Sequence, residues 1–351
     1  MKEKHEEVQT YYGSELSTSK DLKTNACCTT EVLPDYIKAA LSNIHDEVLT
    51  KYYGCGIVVP DELKGLRVLD LGSGSGRDCY ILSQLVGQEG EVIGVDMTRE
   101  QVDVAERHID YQANKFGYKY SNVKFLEGNI EALDDLNLEP NSFDLIISNC
   151  VINLTVNKEK VLNDVYRLLK PGGEMYFSDI YSTSRISKEL QNDPVLWGEC
   201  LSGALYWKDF LRIAQKAGFV DPRSVKNNRI TIENKAIEEK CGDIQFFSVT
   251  YRLWKIEGLE DACEDYGQAV SYNGTIENNA SSFDLDDHHH FPKNKIMTVC
   301  GNTYLMLQGT RYKDHFKFYG NWSTHYGIYE GCGESMPFSL NDDTGIFGSC
   351  C

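Results

Sequence analysis

Residues Asp70–Gly76 read Asp-Leu-Gly-Ser-Gly-Ser-Gly, between an apolar run (Leu66, Val68, Leu69) and a helical run from Cys79 to Val86. A strand that ends in a glycine turn and restarts as a helix is the framework of a nucleotide-cofactor loop, because the turn lets a ligand approach backbone N–H groups. The spacing narrows the ligand. Dinucleotide folds use G-x-G-x-x-G, whereas here the third glycine comes one residue early and Arg77 stands in its place, which disfavours a pyrophosphate. About 20 residues on, the strand pattern Glu91–Asp96 ends in a carboxylate, at the offset where an acid accepts both ribose hydroxyls. Asp96 is the ribose candidate, and capping of the helix that follows is assigned to Thr98 with Gln101.

A turn of the form D-x-G-x-G-x-G resembles the first motif of class I S-adenosylmethionine-dependent methyltransferases, in which the backbone packs against the methionine moiety. On that resemblance Tyr53 and the loop of Asp70, Gly72, Ser73, Gly74 and Gly76 flank the methionine and Asp96 takes the ribose. Met97 packs beside the adenine, Asn129 and Ile130 meet its edge, and Asn149 holds the donor's amino end. For Met97 and Ile130 ordinary core packing is the competing reading.

In open α/β sheets ligands sit at the carboxyl ends of strands, so Ser148–Leu154, after a strand pattern at 143–148, should face the methyl donor and puts Cys150 at the acceptor position. No Ser-His-Asp or paired-carboxylate arrangement is legible around this loop for deprotonating an oxygen or carbon acceptor. A soft acceptor with its own lone pair needs no base.

Four cysteines sit in distinctive surroundings: Asn25-Ala26-Cys27-Cys28-Thr29-Thr30, Tyr52-Tyr53-Gly54-Cys55-Gly56, Asn149-Cys150-Val151-Ile152-Asn153 and Leu196-Trp197-Gly198-Glu199-Cys200. With Tyr11-Tyr12-Gly13 and Gly203–Trp207, they closely resemble the arsenite methyltransferase family over residues 8 to 255. The resemblance implies that Cys150 and Cys200, with Cys55 near them, hold trivalent arsenic, offered as arsenite or its glutathione conjugate. Thiolates select such soft acceptors, and the arsenic lone pair would attack the sulfonium methyl to give mono- and dimethylated products. It implies further that Cys27 and Cys55 form a disulfide relay with Cys150, reset by thioredoxin or glutathione. Cys28 is a possible substitute for Cys27. Two other readings stay open: a methyltransferase of a carbon or oxygen acceptor with structural cysteines, and a thiol-based protein that sequesters arsenic or soft metals without chemistry.

The elements that must position these residues alternate. Strand patterns near 67–71, 91–96, 123–127, 143–148 and 174–179 interleave with helical patterns at 77–86, 99–116, 158–170 and 206–217, which predicts a doubly wound, Rossmann-like parallel sheet. Lys170–Gly173 reads as the turn before the fifth strand, and Ile244–Trp254 as a late strand. Residues 1–62 form an extension with a helix at 36–50, whose apolar face is Ile37, Ala40, Leu41, Ile44 and Val48, placed to cover the cofactor. The methyltransferase domain spans 63–256. Residues 257–351 form a smaller domain with short strands at Ile296–Gln308 and Phe316–Tyr319 and a flexible tail carrying Cys332, Cys350 and Cys351. Cys241, Cys263 and Cys300 read as structural, Cys79 as core, and Asp286–His290 as a solvated loop.

Composition limits the class. The 351 residues carry a formal charge of −18, which opposes a polyanionic acceptor such as nucleic acid. No apolar stretch approaches the roughly 18 residues of a membrane span, and the polar first residues lack a secretory h-region. A cytoplasmic, reducing location is expected, in which twelve cysteines are not a disulfide framework.

Overall fold

The computed structural model describes residues 5, 8–10, 33–52, 56–198, 200–232 and 234–332. Five strands run parallel: β1 (Arg67–Leu71), β2 (Glu91–Asp96), β3 (Val123–Glu127), β4 (Phe143–Asn149) and β5 (Leu169–Ser182). The short β6 (Leu205–Tyr206) pairs with the end of β5. Beyond β5 the sheet continues through β7 (Arg223–Ile230) and β8 (Phe246–Trp254), with β8 antiparallel between β5 and β7, giving the order β3-β2-β1-β4-β5-β8-β7.

Successive side chains leave a strand on opposite faces, so adjacent residues serve different cores. Leu69, Val95, Ile146 and Phe177 join a core with Val161 and Val165 of the helix Lys158–Leu168 and Phe210 and Ala214 of the helix Trp207–Ala217. Val68, Val92, Leu145 and Tyr176 join another with Ile81 and Leu82 of the helix Arg77–Val86 and with Ile37 and Val48 from the N-terminal extension. Both faces are covered, as the doubly wound reading predicts.

Local departures have local causes. The expected helix at 36–50 is two, Asp35–Ser42 and Asp46–Thr50, because His45 Nδ1 caps the second by accepting from Glu47 N at 3.1 Å. The expected helix at 99–116 likewise divides at His108, whose ring stacks on His45 at 3.9 Å and bonds Glu47 at 2.7 Å. Lys170–Gly173 is not a turn before the fifth strand but its first residues. The β4 register shifts there, and a Cβ on Gly172 (φ +78°) would stand 2.5 Å from the Gly309 carbonyl oxygen. Glycine at 172 thus lets the C-terminal unit press against the sheet.

That unit contains β9 (Glu264–Asp265), β10 (Gln268–Tyr272), β11 (Ser282–Asp284), β12 (His290–Pro292), β13 (Ile296–Val299), β14 (Phe316–Tyr319) and β15 (Gly327–Ile328). Strands β13, β10 and β14 form one sheet. The stretch expected as strand over Ile296–Gln308 is β13 followed by a helix, Gly301–Gln308. Thr303, Tyr304, Met306 and Leu307 are all buried, so the segment lacks the one-sided apolar stripe by which a helix is read from sequence. Cys263 and Cys300 interact with each other. Of the stretch read as a solvated loop, Asp287, His288 and His290 are exposed, whereas Asp286 is buried and pairs with Arg223 and His289.

The three parts of the chain meet at Glu174. This fully buried carboxylate lies 2.7 Å from Arg252 Nε of β8 and 2.6 Å from Arg311 Nη2 of the C-terminal unit. Arg311 Nε donates to the Asp61 carbonyl at 2.9 Å and Arg252 Nη1 to the Leu285 carbonyl at 2.7 Å. Removing one member of such a set strands the remaining charges in a low-dielectric interior. Glu174→Gln should therefore cost about 3 to 5 kcal/mol, measured by urea unfolding; an unchanged midpoint would contradict this role.

Candidate functional site

The order of the strands reverses between β1 and β4, and the loops leaving the carboxyl ends of β1–β4 line one cleft that is open to solvent. Asp70, Gly72, Ser73 and Gly74 come from the first loop, Asp96 and Met97 from the second, Asn129 and Ile130 from the third, and Asn149 and Cys150 from the fourth. Gly76 stands behind this wall, donating its N–H to Ser73 O at 2.9 Å where the helix Arg77–Val86 begins. Tyr53, Cys27, Cys28 and Cys55 lie outside the described residues. His5 and Val8 of the N-terminal extension also line the cleft, and Gln9 Nε2 donates to Met97 O at 2.7 Å.

Gly72 makes the geometry possible. Its φ is +77°, and a Cβ there would lie 2.4 Å from Val151 Cγ2, so only glycine lets the first loop touch the residue after Cys150. Asp96 Oδ2 accepts from Gly74 N at 2.9 Å and Oδ1 from Thr98 N at 2.8 Å. Thr98 does stand at the N-cap of the helix that follows, but its side chain makes no capping bond, and the Asp96 carboxylate holds the turn into that helix through the Thr98 N–H. Each carboxylate oxygen carries two lone pairs, so these bonds leave capacity for a diol. Burial raises the Asp96 carboxyl pKa, and the N–H groups of Thr98 and Gly74 oppose that rise.

Sequence reasoning noticed Arg77 without seeing its role. Its guanidinium lies 3.1 Å from the centre of the Tyr52 ring, donates to Gly56 O at 2.8 Å and pairs with Asp78 at 2.7 Å, tying the extension down beside the loop. Asn149 Nδ2 joins the same network through Tyr52 Oη at 2.7 Å, Asp78 Oδ2 at 3.0 Å and Gly56 O at 3.1 Å. Any contact of Asn149 with a donor's amino group therefore falls to its amide oxygen. Asp70 and Asp78 both line the cleft. Burial, and then the charge of Asp78, push the Asp70 carboxyl up to about 8.

Cys150 and Cys200 come from distant segments and meet, Cys200 Sγ donating to Cys150 O at 3.2 Å. Both are buried in one apolar cluster with Leu154, Trp197 and Leu201. Both also have left-handed backbone, φ +58° and +61°, a conformation uncommon outside glycine and asparagine and concentrated at functional sites. The Cys150 sulfur is held in a disulfide.

Beneath the pair lies Lys158, which the sequence did not single out. Its Nζ donates to Thr155 O at 2.7 Å and Asn153 O at 3.1 Å, bracing the turn after Cys150, and sits 5.5 Å from the Trp197 ring. Burial pushes its pKa down to about 8, against the opposing pull of Asp179, Glu131 and Cys200. Asp179, pushed up to about 7 by burial, accepts from Asn153 N at 2.9 Å and orients the same turn. The arrangement is thus an open cleft with Cys150 in its wall and Cys200 packed against the Cys150 carbonyl, beside the buried Lys158.

Residues 62–218 match the family model for a methyltransferase domain, and residues 266–344 match that for an arsenite methyltransferase C-terminal domain. The chain is 54% identical to an arsenite methyltransferase of Aquipseudomonas alcaligenes, over 99% of this chain and 100% of that one. It is 47% identical to the arsenite methyltransferase of Homo sapiens, over 88% of this chain and 82% of that one. The crystal structure of CrArsM, an arsenic(III) S-adenosylmethionine methyltransferase from Chlamydomonas reinhardtii, superposes with a TM-score of 0.83 at 48% identity, covering 85% of this chain and 100% of that chain.

The raised Asp70 pKa has a pH consequence. Between the ordinary value of 3.8 and about 8 the folded chain keeps a proton that the unfolded chain releases, so this group's contribution to stability falls as pH rises across that interval and is level above it. Asp70→Asn should flatten that decline in urea unfolding series. A variant with the wild-type pH profile would contradict the assignment.

Proposed function

Because the chain belongs to the arsenite methyltransferase family, an S-adenosylmethionine-dependent methyltransferase family, we propose that its cleft holds the donor beside Asp96 and that Cys150 and Cys200 hold trivalent arsenic at the cleft's far wall. The observation that carries this reading is the convergence of two sulfur residues, both with left-handed backbone, at the wall that the glycine loop touches.

The cleft fits the donor. Asp96 offers carboxylate oxygens for a ribose diol, Met97, Ile130 and Leu154 offer apolar surface for an adenine, and the missing Cβ of Gly72 leaves backbone within reach of a methionine chain. When bound, S-adenosylmethionine supplies an electrophilic methyl on a sulfonium sulfur. The protein's task is positioning: Cys150 and Cys200 fix the arsenic so that its lone pair points along the axis of that bond, and Gly72 against Val151 sets how closely the two partners approach. No general base is required, because the nucleophile is a lone pair and not a deprotonated group.

Each transfer raises arsenic formally to the pentavalent state, and a further methylation needs two electrons. We assign their supply to a relay in which Cys27 and Cys55 exchange disulfides with Cys150, reset by thioredoxin or glutathione, which permits mono- and dimethylated products. A Cys150 sulfur already engaged in a disulfide supports this reading. It also implies that a thiol must free that sulfur before arsenite can be captured.

Chromatographic arsenic speciation tests the scheme, after purified protein is incubated with S-adenosylmethionine, arsenite and a thiol. Methylated arsenic should form only with both donor and thiol present. Cys150→Ser and Cys200→Ser should each lower the rate by more than about a hundredfold, the scale expected when a reactant is mispositioned, with donor binding retained. Cys27→Ser should still methylate a monomethylated trivalent arsenical. Wild-type turnover of arsenite by Cys150→Ser would overturn the acceptor site, and total loss in Cys27→Ser would overturn the division of labour.

A further inference from the structure

Away from the cleft, four segments converge where β7 begins. Arg223 Nη2 lies 2.6 Å from Asp221 Oδ2 and 3.9 Å from Cys300 Sγ, and its Nη1 lies 3.4 Å from Asp286 Oδ2. Cys300 caps the helix Gly301–Gln308, its sulfur 3.5 Å from Thr303 N and 3.3 Å from Thr303 Oγ1. The Cys263 thiol hydrogen-bonds to that same sulfur. Both cysteines are reduced; Cys300 is buried and Cys263 half-buried, so the pair is approached from the Cys263 side.

The bond from Cys263, together with the Arg223 guanidinium and the Thr303 donors, holds the Cys300 thiol well below its ordinary range and raises that of Cys263. A thiolate nucleophile beside a second thiol is a chelating pair for a thiophilic atom.

We propose that Cys263 and Cys300 form a second arsenical site, separate from the cleft, which takes a monosubstituted trivalent arsenical, RAs(OH)2, as a chelate of two sulfurs. The ligand count selects this class. Among the described residues no third His, Cys, Asp or Glu joins these sulfurs in a group able to hold an ion, whereas zinc in structural sites takes four ligands. Arsenite has three exchangeable oxygens, and a monosubstituted arsenical has two. Arg223 lies 3.9 Å from the Cys300 sulfur, already paired with Asp221 and Asp286, so it steadies the sulfur without barring a neutral arsenical. On binding, two As–O bonds and the Cys263 S–H bond break and two As–S bonds form. The two hydroxides leave as water, one with the Cys263 proton and one with a proton from solvent, and no electron changes hands.

The test uses the reduced full chain and methylarsonous acid as probe. In a Cys150→Ser/Cys200→Ser chain, adding Cys263→Ser should remove one arsenic per chain after desalting, measured by mass spectrometry of arsenic; an equal arsenic content would overturn the site. In the wild-type chain, where no substitution can disturb folding, the probe should slow alkylation of Cys263 by at least about tenfold, since a sulfur bonded to arsenic is no longer a nucleophile. A dimethylated trivalent arsenical, with one exchangeable oxygen, should be displaced far more easily by added monothiol. Unslowed alkylation of Cys263 would refute the proposal. Neither readout involves turnover, so both are independent of the methylation scheme.

Discussion

The approach of Gly72 to Val151 is the constraint on which the site depends. One residue separates the glycine loop's wall from Cys150, and the contact exists because position 72 has no Cβ to fill the 2.4 Å that would remain to Val151 Cγ2. The sheet brings the carboxyl ends of β1 and β4 side by side, pairing Leu71 with Ser148, and so fixes where the two loops start. The glycine fixes how near they come. Asp96 completes the frame, because its carboxylate holds Gly74 N from one side and Thr98 N from the other. The chain's remaining elements hold this edge still: Lys158 and Asp179 brace the turn after Cys150, and Arg77 fastens the extension to the loop.

Much of this frame was legible in the sequence where one face of an element is apolar or a turn has a strict chemistry. Strands β1, β2 and β3 fall at 67–71, 91–96 and 123–127 as read, because their apolar runs end at glycine or an acid. The reading failed where tertiary contacts decide. Gly301–Gln308 buries polar Asn302 and Thr303 along with its apolar residues because the C-terminal unit wraps it, so no apolar stripe marks it as a helix. His108 breaks a periodic helix for a partner, His45, that lies far away in the chain. Thr98 holds the N-cap position without a side-chain bond, and the turn before it is closed by the Asp96 carboxylate on the Thr98 N–H.

The site divides in the same way. Asp70, Gly72, Asp96 and Asn149 are marked by their place in motifs, and the sheet brings them together. Nothing local marks Lys158 or Arg77: the first is one lysine in a helix rich in charge, the second an arginine where a glycine was sought. The contact of Cys263 with Cys300 was hidden because it joins the residue before β9 to a helix start elsewhere in the C-terminal unit, with no local pattern to link them. The seam between that unit and the sheet is marked by Glu174, fixed between Arg252 and Arg311, a buried charge set in which each segment supplies a member.

The central claim is that two sulfurs of the cleft, and not oxygen groups, hold the arsenic. Arsenic K-edge X-ray absorption on the reduced chain loaded with one equivalent of arsenite tests it most directly, with Cys263→Ser included to silence the second pair. Sulfur should dominate the arsenic's nearest shell, and that sulfur signal should fall when Cys200→Ser is added. A shell of oxygen alone, or a sulfur signal indifferent to Cys150 and Cys200, would contradict the account.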